Sequence, residues 1–137
     1  MQKCMALDEL RKNGMMAHLI DSLEARQDIG HYGRLVFTMV GRCFLSNDEL
    51  IDLLTKDPDC DEEKARTLVQ QVEARDYNPP KRERILEWMQ KQDFPICPDP
   101  EQPGACNVYR DLDFPQELYD RITSFYTDRA PAATARG

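Results

Sequence analysis

The stretch His31-Tyr-Gly-Arg-Leu-Val-Phe-Thr-Met-Val-Gly-Arg-Cys-Phe44 decides how the chain is read. Leu35, Val36, Met39, Val40 and Cys43 recur at three- and four-residue spacing, so a helix gathers them into one broad apolar stripe, whereas a strand would scatter them over both faces. This is the most apolar segment of the sequence, and it is expected to form the central helix.

Working outward, the same period continues on both sides, and no period-two run with a hairpin turn interrupts it. Toward the N-terminus, Met15–Arg26 places Met16, Leu19, Ile20 and Leu23 on one face. Lys3–Lys12 forms a further helix, with Asn13-Gly14 as its left-handed stop. On the other side, Ser46 and Glu49 have the spacing of a capping box that opens a helix through Leu54. Asp59 or Asp61 caps the next helix, whose buried face carries Ala65, Leu68, Val69 and Val72. Pro79-Pro80 then starts a helix running to about Gln92, with Ile85, Trp88 and Met89 inward. A proline-rich loop, Phe94–Cys106, precedes a last helix that starts at Pro115 and carries Leu118, Ile122 and Phe125. The expectation is an all-α fold, a single compact bundle of about six or seven helices. It spans residues 1–127, followed by a flexible tail at 128–137.

At 137 residues the chain can bury a core without a staple. No apolar run approaches the roughly 20 residues of a membrane span, and the first residues lack a secretory signal, so the protein reads as soluble and cytoplasmic. A net charge of −7 is the wrong sign for a protein whose whole surface grips phosphate, although it permits a local basic patch. Enzymatic signatures are absent: there is no Gly-rich phosphate loop, no G-x-S-x-G elbow and no H-E-x-x-H pair. No small-molecule substrate is evident, and the chain reads as noncatalytic.

Two features remain. Lys81, Arg82 and Arg84 crowd the first turn of one helix, where cations oppose the helix dipole by about 0.3–1 kcal/mol each. Either they pair with Asp76, Glu83 or the Asp59–Glu63 run, or they form an anion site with Arg34 alongside. The other feature is the cysteine set. Five is an odd count, which favours free thiols in a reducing compartment over a disulfide framework. Cys97 and Cys106 bracket the proline-rich loop, and three readings stay open: a zinc or iron–sulfur site, a disulfide staple, or two ordinary cysteines. Cys43 falls on the apolar stripe and Cys60 at a helix start.

Taken together, GHYGRLVFTMVGRCFLSNDELIDLL, DPDCDEEKARTLVQQVE and YNPPKRERILEWMQKQDFPIC resemble the C-terminal helical domain of the archaeal and eukaryotic DNA primase large subunit over Met15–Cys106. That resemblance implies a noncatalytic module that engages template and primer end, with His31, Arg34, Lys81, Arg82 and Arg84 facing phosphates. It also implies four cysteines on a 4Fe–4S cluster. Here Cys97 and Cys106 match two of them, whereas Met15 and Arg82 stand where the other two belong, and Cys4 substitutes only if the first helix folds back. The cofactor expectation is therefore none, with an iron–sulfur cluster or zinc on Cys97, Cys106 and Cys4 as the alternative. The competing functional reading is an acidic adaptor that binds a protein partner through Tyr109, Tyr119 and Tyr126.

Overall fold

A computed structural model describes residues 7–102 and 106–120. Six helices follow in chain order: α1 Gly14–Glu24, α2 Gly30–Gly41, α3 Asn47–Leu54, α4 Glu62–Arg75, α5 Arg82–Met89 and α6 Val108–Asp111. Residues 7–10 and 116–120 are also helical, so the described residues hold eight helical segments, one or two more than expected, and no strand. Among them no helix is long and apolar enough to cross a membrane.

The central position of α2 follows from its composition. Val36, Phe37 and Val40 are fully buried and pack with Leu19, Ile20, Leu50, Leu54, Val69 and Ile85 in one core. Each such side chain contributes about 1.5–3 kcal/mol by leaving water. Close approach is part of that packing: a Cβ on Gly41 would stand 3.0 Å from Leu50 Cδ2. Leu35 differs from expectation, because it is only half-buried and faces a cleft described below.

The helix ends show which local signals prevail. Ser46 and Glu49 form the expected capping box, with Ser46 N–H donating to Glu49 Oε1 at 2.8 Å and Glu49 N–H to Ser46 Oγ at 3.2 Å. Asp61, not Asp59, caps α4 and accepts the Lys64 N–H at 2.8 Å. Asn13 is not the left-handed stop of the preceding helix. It is the N-cap of α1, since its Oδ1 accepts the Met16 N–H at 3.1 Å while its Nδ2 donates to Asp111 at 2.9 Å.

The proline pair also acts differently from expectation. Proline disfavours helical geometry in the residue before it, so residues 77–81 stay out of helix and α5 waits until Arg82. Lys81 takes the N-cap position with ψ 163° and no side-chain cap bond, and α5 ends at Met89 rather than near Gln92. The side chain of Gln92, beyond that end, clips the start of α2 to the following loop. It accepts from Tyr32 N–H at 2.9 Å and donates to Ile29 O at 2.9 Å and Phe94 O at 3.1 Å. Gly30, at φ +80°, is what permits this, because a Cβ there would lie 2.5 Å from Gln92 Oε1.

Helix α6 was not anticipated. Asn107 caps it by accepting the Arg110 N–H at 3.2 Å, and Asn13 holds its far end through Asp111. Phe125, Ile122, Tyr126 and the 128–137 tail lie outside the described residues.

Candidate nucleic-acid interface

Because Pro79 and Pro80 keep the chain out of helix before α5, the segment Tyr77–Lys81 forms one wall of a cleft of about 500 Å³. Leu35 and Met39 of α2 form its apolar floor, Trp88 of α5 and Tyr109 of α6 its aromatic sides, and Lys81 and Arg84 its charged margin. The Tyr109 hydroxyl donates to the Pro79 carbonyl, which fixes the wall against α6. Tyr77 is the exposed large apolar residue of the described chain, at 38%.

The aromatic surface continues out of the cleft along α5 and α2. The Arg84 guanidinium lies 5.9 Å from the Trp88 ring centroid. Trp88 stacks on Tyr32 at 5.7 Å and 20°, and Tyr32 meets His31 edge-on at 5.0 Å. Lys91 sits 6.0 Å from the Tyr32 centroid. The result is a strip of basic and aromatic groups, with Arg84, His31 and Lys91 exposed. Glu87 is the carboxylate that competes here, 3.5 Å from Arg84 Nε in an exposed pair that is worth little in water. Partial burial lowers the Lys81 pKa, opposed by the neighbouring Glu83 charge.

The five residues expected to act together, His31, Arg34, Lys81, Arg82 and Arg84, are placed apart. Lys81 and Arg84 share the cleft margin, and His31 stands at the far end of the strip. Arg34 lies apart from that margin and is engaged by carboxylates. It is buried, with its Nη1 2.9 Å from Asp57 and 3.2 Å from Asp28, and its Nη2 3.4 Å from Asp59. Burial alone would lower the guanidinium pKa, but the Asp57 hydrogen bond and charge outweigh it and raise the value. Asp57 in turn accepts the N–H groups of Ile29 at 3.0 Å and Asp59 at 2.8 Å. Arg34 is a strut tying α2 to the α3–α4 turn. Arg82 is half-buried, and its Nη2 donates to the Pro100 carbonyl of the cysteine loop.

Two of the carboxylates weighed as partners of the basic cluster also pair with other cations. Asp76 binds Arg42 at 2.5 Å, which helps hold Asp76 in its left-handed conformation at φ 51°. Asp59 faces Arg34 and Lys64.

Cys97 and Cys106 lie together, as the rigid loop suggested, and they form a disulfide with Cα atoms 5.9 Å apart. This replaces the free-thiol expectation for the pair. A four-thiolate cluster does not fit the residues in place. Two candidate sulfurs bond each other, Met15 is fully buried in the core, and Arg82 is a permanent cation without a donor lone pair. Cys4 lies outside the described residues, among which no group of three His, Cys, Asp or Glu side chains could hold a metal ion. Cys43 is half-buried against the core, and Cys60 is buried.

Tyr32, Trp88 and Lys91 were legible only as helix-face residues, because their convergence depends on how α2 and α5 cross. Tyr109, read in the sequence as a candidate partner anchor, lines the cleft. Tyr119 completes the core: its hydroxyl donates to Leu112 O and accepts the Phe114 N–H, both at 3.1 Å. Comparison of the chain with family models, curated proteins and solved structures finds no match in any of the three.

Proposed function

We propose that the chain is a noncatalytic cytoplasmic module that binds single-stranded nucleic acid, as its resemblance to the primase large-subunit domain implies. One observation carries this reading: a cleft with aromatic walls and a cationic margin opens onto a strip of rings and cations in a protein of net charge −7. Unpaired bases stack on aromatic faces irrespective of sequence, and flanking phosphates meet Lys81, Arg84, Lys91 and His31. The acidic remainder repels the backbone of a duplex and confines contact to this face. Binding should therefore favour single strands over duplex and weaken with salt.

The second reading, an acidic adaptor for a replication or repair protein, draws on the same net charge and on exposed Tyr77. Fluorescence anisotropy of labelled single-stranded, duplex and primer-template oligonucleotides at low salt separates the two. Salt-sensitive binding that prefers the single strand supports the nucleic-acid reading. No binding to any of them leaves the adaptor.

A further inference from the structure

The Cys97–Cys106 bond lies beside the proposed interface and is connected to it through Arg82. Both cysteines are buried, while residues 98–102 between them are exposed. Pro100 lies on that exposed arc and its carbonyl accepts from Arg82 Nη2, while Arg82 Nε is buried without a partner. Arg82 sits in the same helical turn as Arg84 and next to Lys81, so the loop occupies one cation of the basic cluster. A neutral carbonyl is a weaker partner for a guanidinium than a phosphate oxygen, which forms a charge-assisted bond.

The two ends of the loop are anchored independently of the disulfide. On the Cys97 side, Ile96 is fully buried, the Cys97 N–H meets Met89 Sδ at 3.4 Å, and Pro95 O contacts His18 Nε2 at 2.8 Å. On the Cys106 side, Asn13 binds Asp111, and Tyr109 is held by Pro79 and packs on Phe114 at 5.4 Å. Within the arc, the described contacts are the Gln102 N–H to Asp99 O bond, at 3.2 Å, and the Arg82 contact itself. Opening the disulfide therefore loosens residues 98–102 and leaves the cleft walls in place.

We propose that the Cys97–Cys106 pair is a redox latch on the interface: oxidised, it holds Pro100 over Arg82, and reduced, it releases Arg82 to a phosphate of the bound strand. The step takes two electrons and two protons from a dithiol reductant. The S–S bond breaks, thiols form at Cys97 and Cys106, and the reductant becomes its own disulfide. Nucleic acid is handled in compartments where such reductants are abundant, and disulfides found there are characteristically transient and redox-sensing. Burial of the sulfurs makes reduction depend on local opening of the exposed arc. The inference rests on the nucleic-acid reading for its consequence but not for its mechanism.

The test uses the full chain in two states, prepared without reductant and after dithiothreitol, with the thiol count rising by two and circular dichroism confirming that the fold persists. Two readouts are taken. Amide hydrogen exchange at Gln102 should accelerate at least tenfold on reduction. Anisotropy with labelled oligo-dT should show tighter binding by a few-fold, and a log–log salt slope steeper by about 0.7, the value of one added phosphate on a single strand. Arg82→Gln should make the two states bind alike, and Cys97→Ser with Cys106→Ser should reproduce the reduced state. Unchanged exchange at Gln102 overturns the latch, whether or not oligo-dT binds. Faster exchange with equal affinity in both states overturns the role of Arg82 and leaves the proposed function standing. No binding in either state defeats the proposed function and, with it, any regulation of binding.

Discussion

Replacing Asp57 with alanine perturbs the pair that most clearly separates scaffold from interface. The Asp57 side chain is fully buried, and it accepts from Arg34 at 2.9 Å, from Ile29 N–H at 3.0 Å and from Asp59 N–H at 2.8 Å. Its loss leaves a guanidinium, itself 6% exposed, without its closest counter-charge, and two backbone donors without their acceptor. Breaking a buried pair from one side costs about 3–5 kcal/mol. Asp28 and Asp59 remain at 3.2 and 3.4 Å from Arg34, but they are 52% and 60% exposed, so water screens them and they recover only part of the loss. The expected cost is about 3 kcal/mol, which for a chain of this size lowers the melting temperature by roughly 10 °C. Urea denaturation followed by circular dichroism measures it. The double replacement Arg34→Met with Asp57→Leu should recover only part of the stability, because removing both charges avoids stranding either while the Ile29 and Asp59 N–H groups still lack their acceptor. A loss below about 1 kcal/mol for Asp57→Ala would refute the account of Arg34 as a buried strut.

Other expectations follow from the same structure. Phe37→Ala should destabilise the fold by about 3–5 kcal/mol, measured by the same denaturation, since the ring is fully buried in the central helix. Lys81→Gln with Arg84→Gln should leave stability within about 0.5 kcal/mol per site yet flatten the salt slope of oligo-dT binding by about 0.7 for each phosphate lost. Burial raises the Cys60 pKa above its ordinary value of 9.0, with Arg34 opposing the shift. The folded state then holds the proton longer than the unfolded chain does. Stability from this group is present below pH 9.0 and declines as pH rises through the folded value. Cys60→Ala should remove that alkaline slope in denaturation midpoints recorded on both sides of pH 9.0.

What the sequence revealed tracks the range of the interactions involved. The capping box at Ser46 and Glu49 and the apolar face of α2 are written in residues within one or two turns and are read directly, whereas the cap of α4 is narrowed by sequence only to Asp59 or Asp61. Asn13-Gly14 failed because one Asn–Gly pair suits a helix stop and an N-cap equally well, and the choice was made by Met16 N–H and by Asp111, 98 residues away. The carboxylates that surround Arg34 are not legible in sequence, because turns at positions 28, 57 and 59 supply them and only tertiary packing assembles these turns. The cleft was legible in parts, as Tyr77–Pro80 and the basic turn. Its aromatic walls come from α5 and α6, and α6 is a four-residue helix too short to announce itself by periodicity.

Trp88 offers the most direct test of the central claim, because it is the sole tryptophan of the chain and lines the cleft. Its emission is recorded while oligo-dT is added at low salt, followed by a return titration with sodium chloride. If bases stack against Trp88, emission falls to a plateau with the single strand, falls less with a duplex of equal length, and recovers as salt displaces the phosphates. Emission that stays constant through a saturating excess of oligo-dT would contradict the claim that this cleft receives the strand.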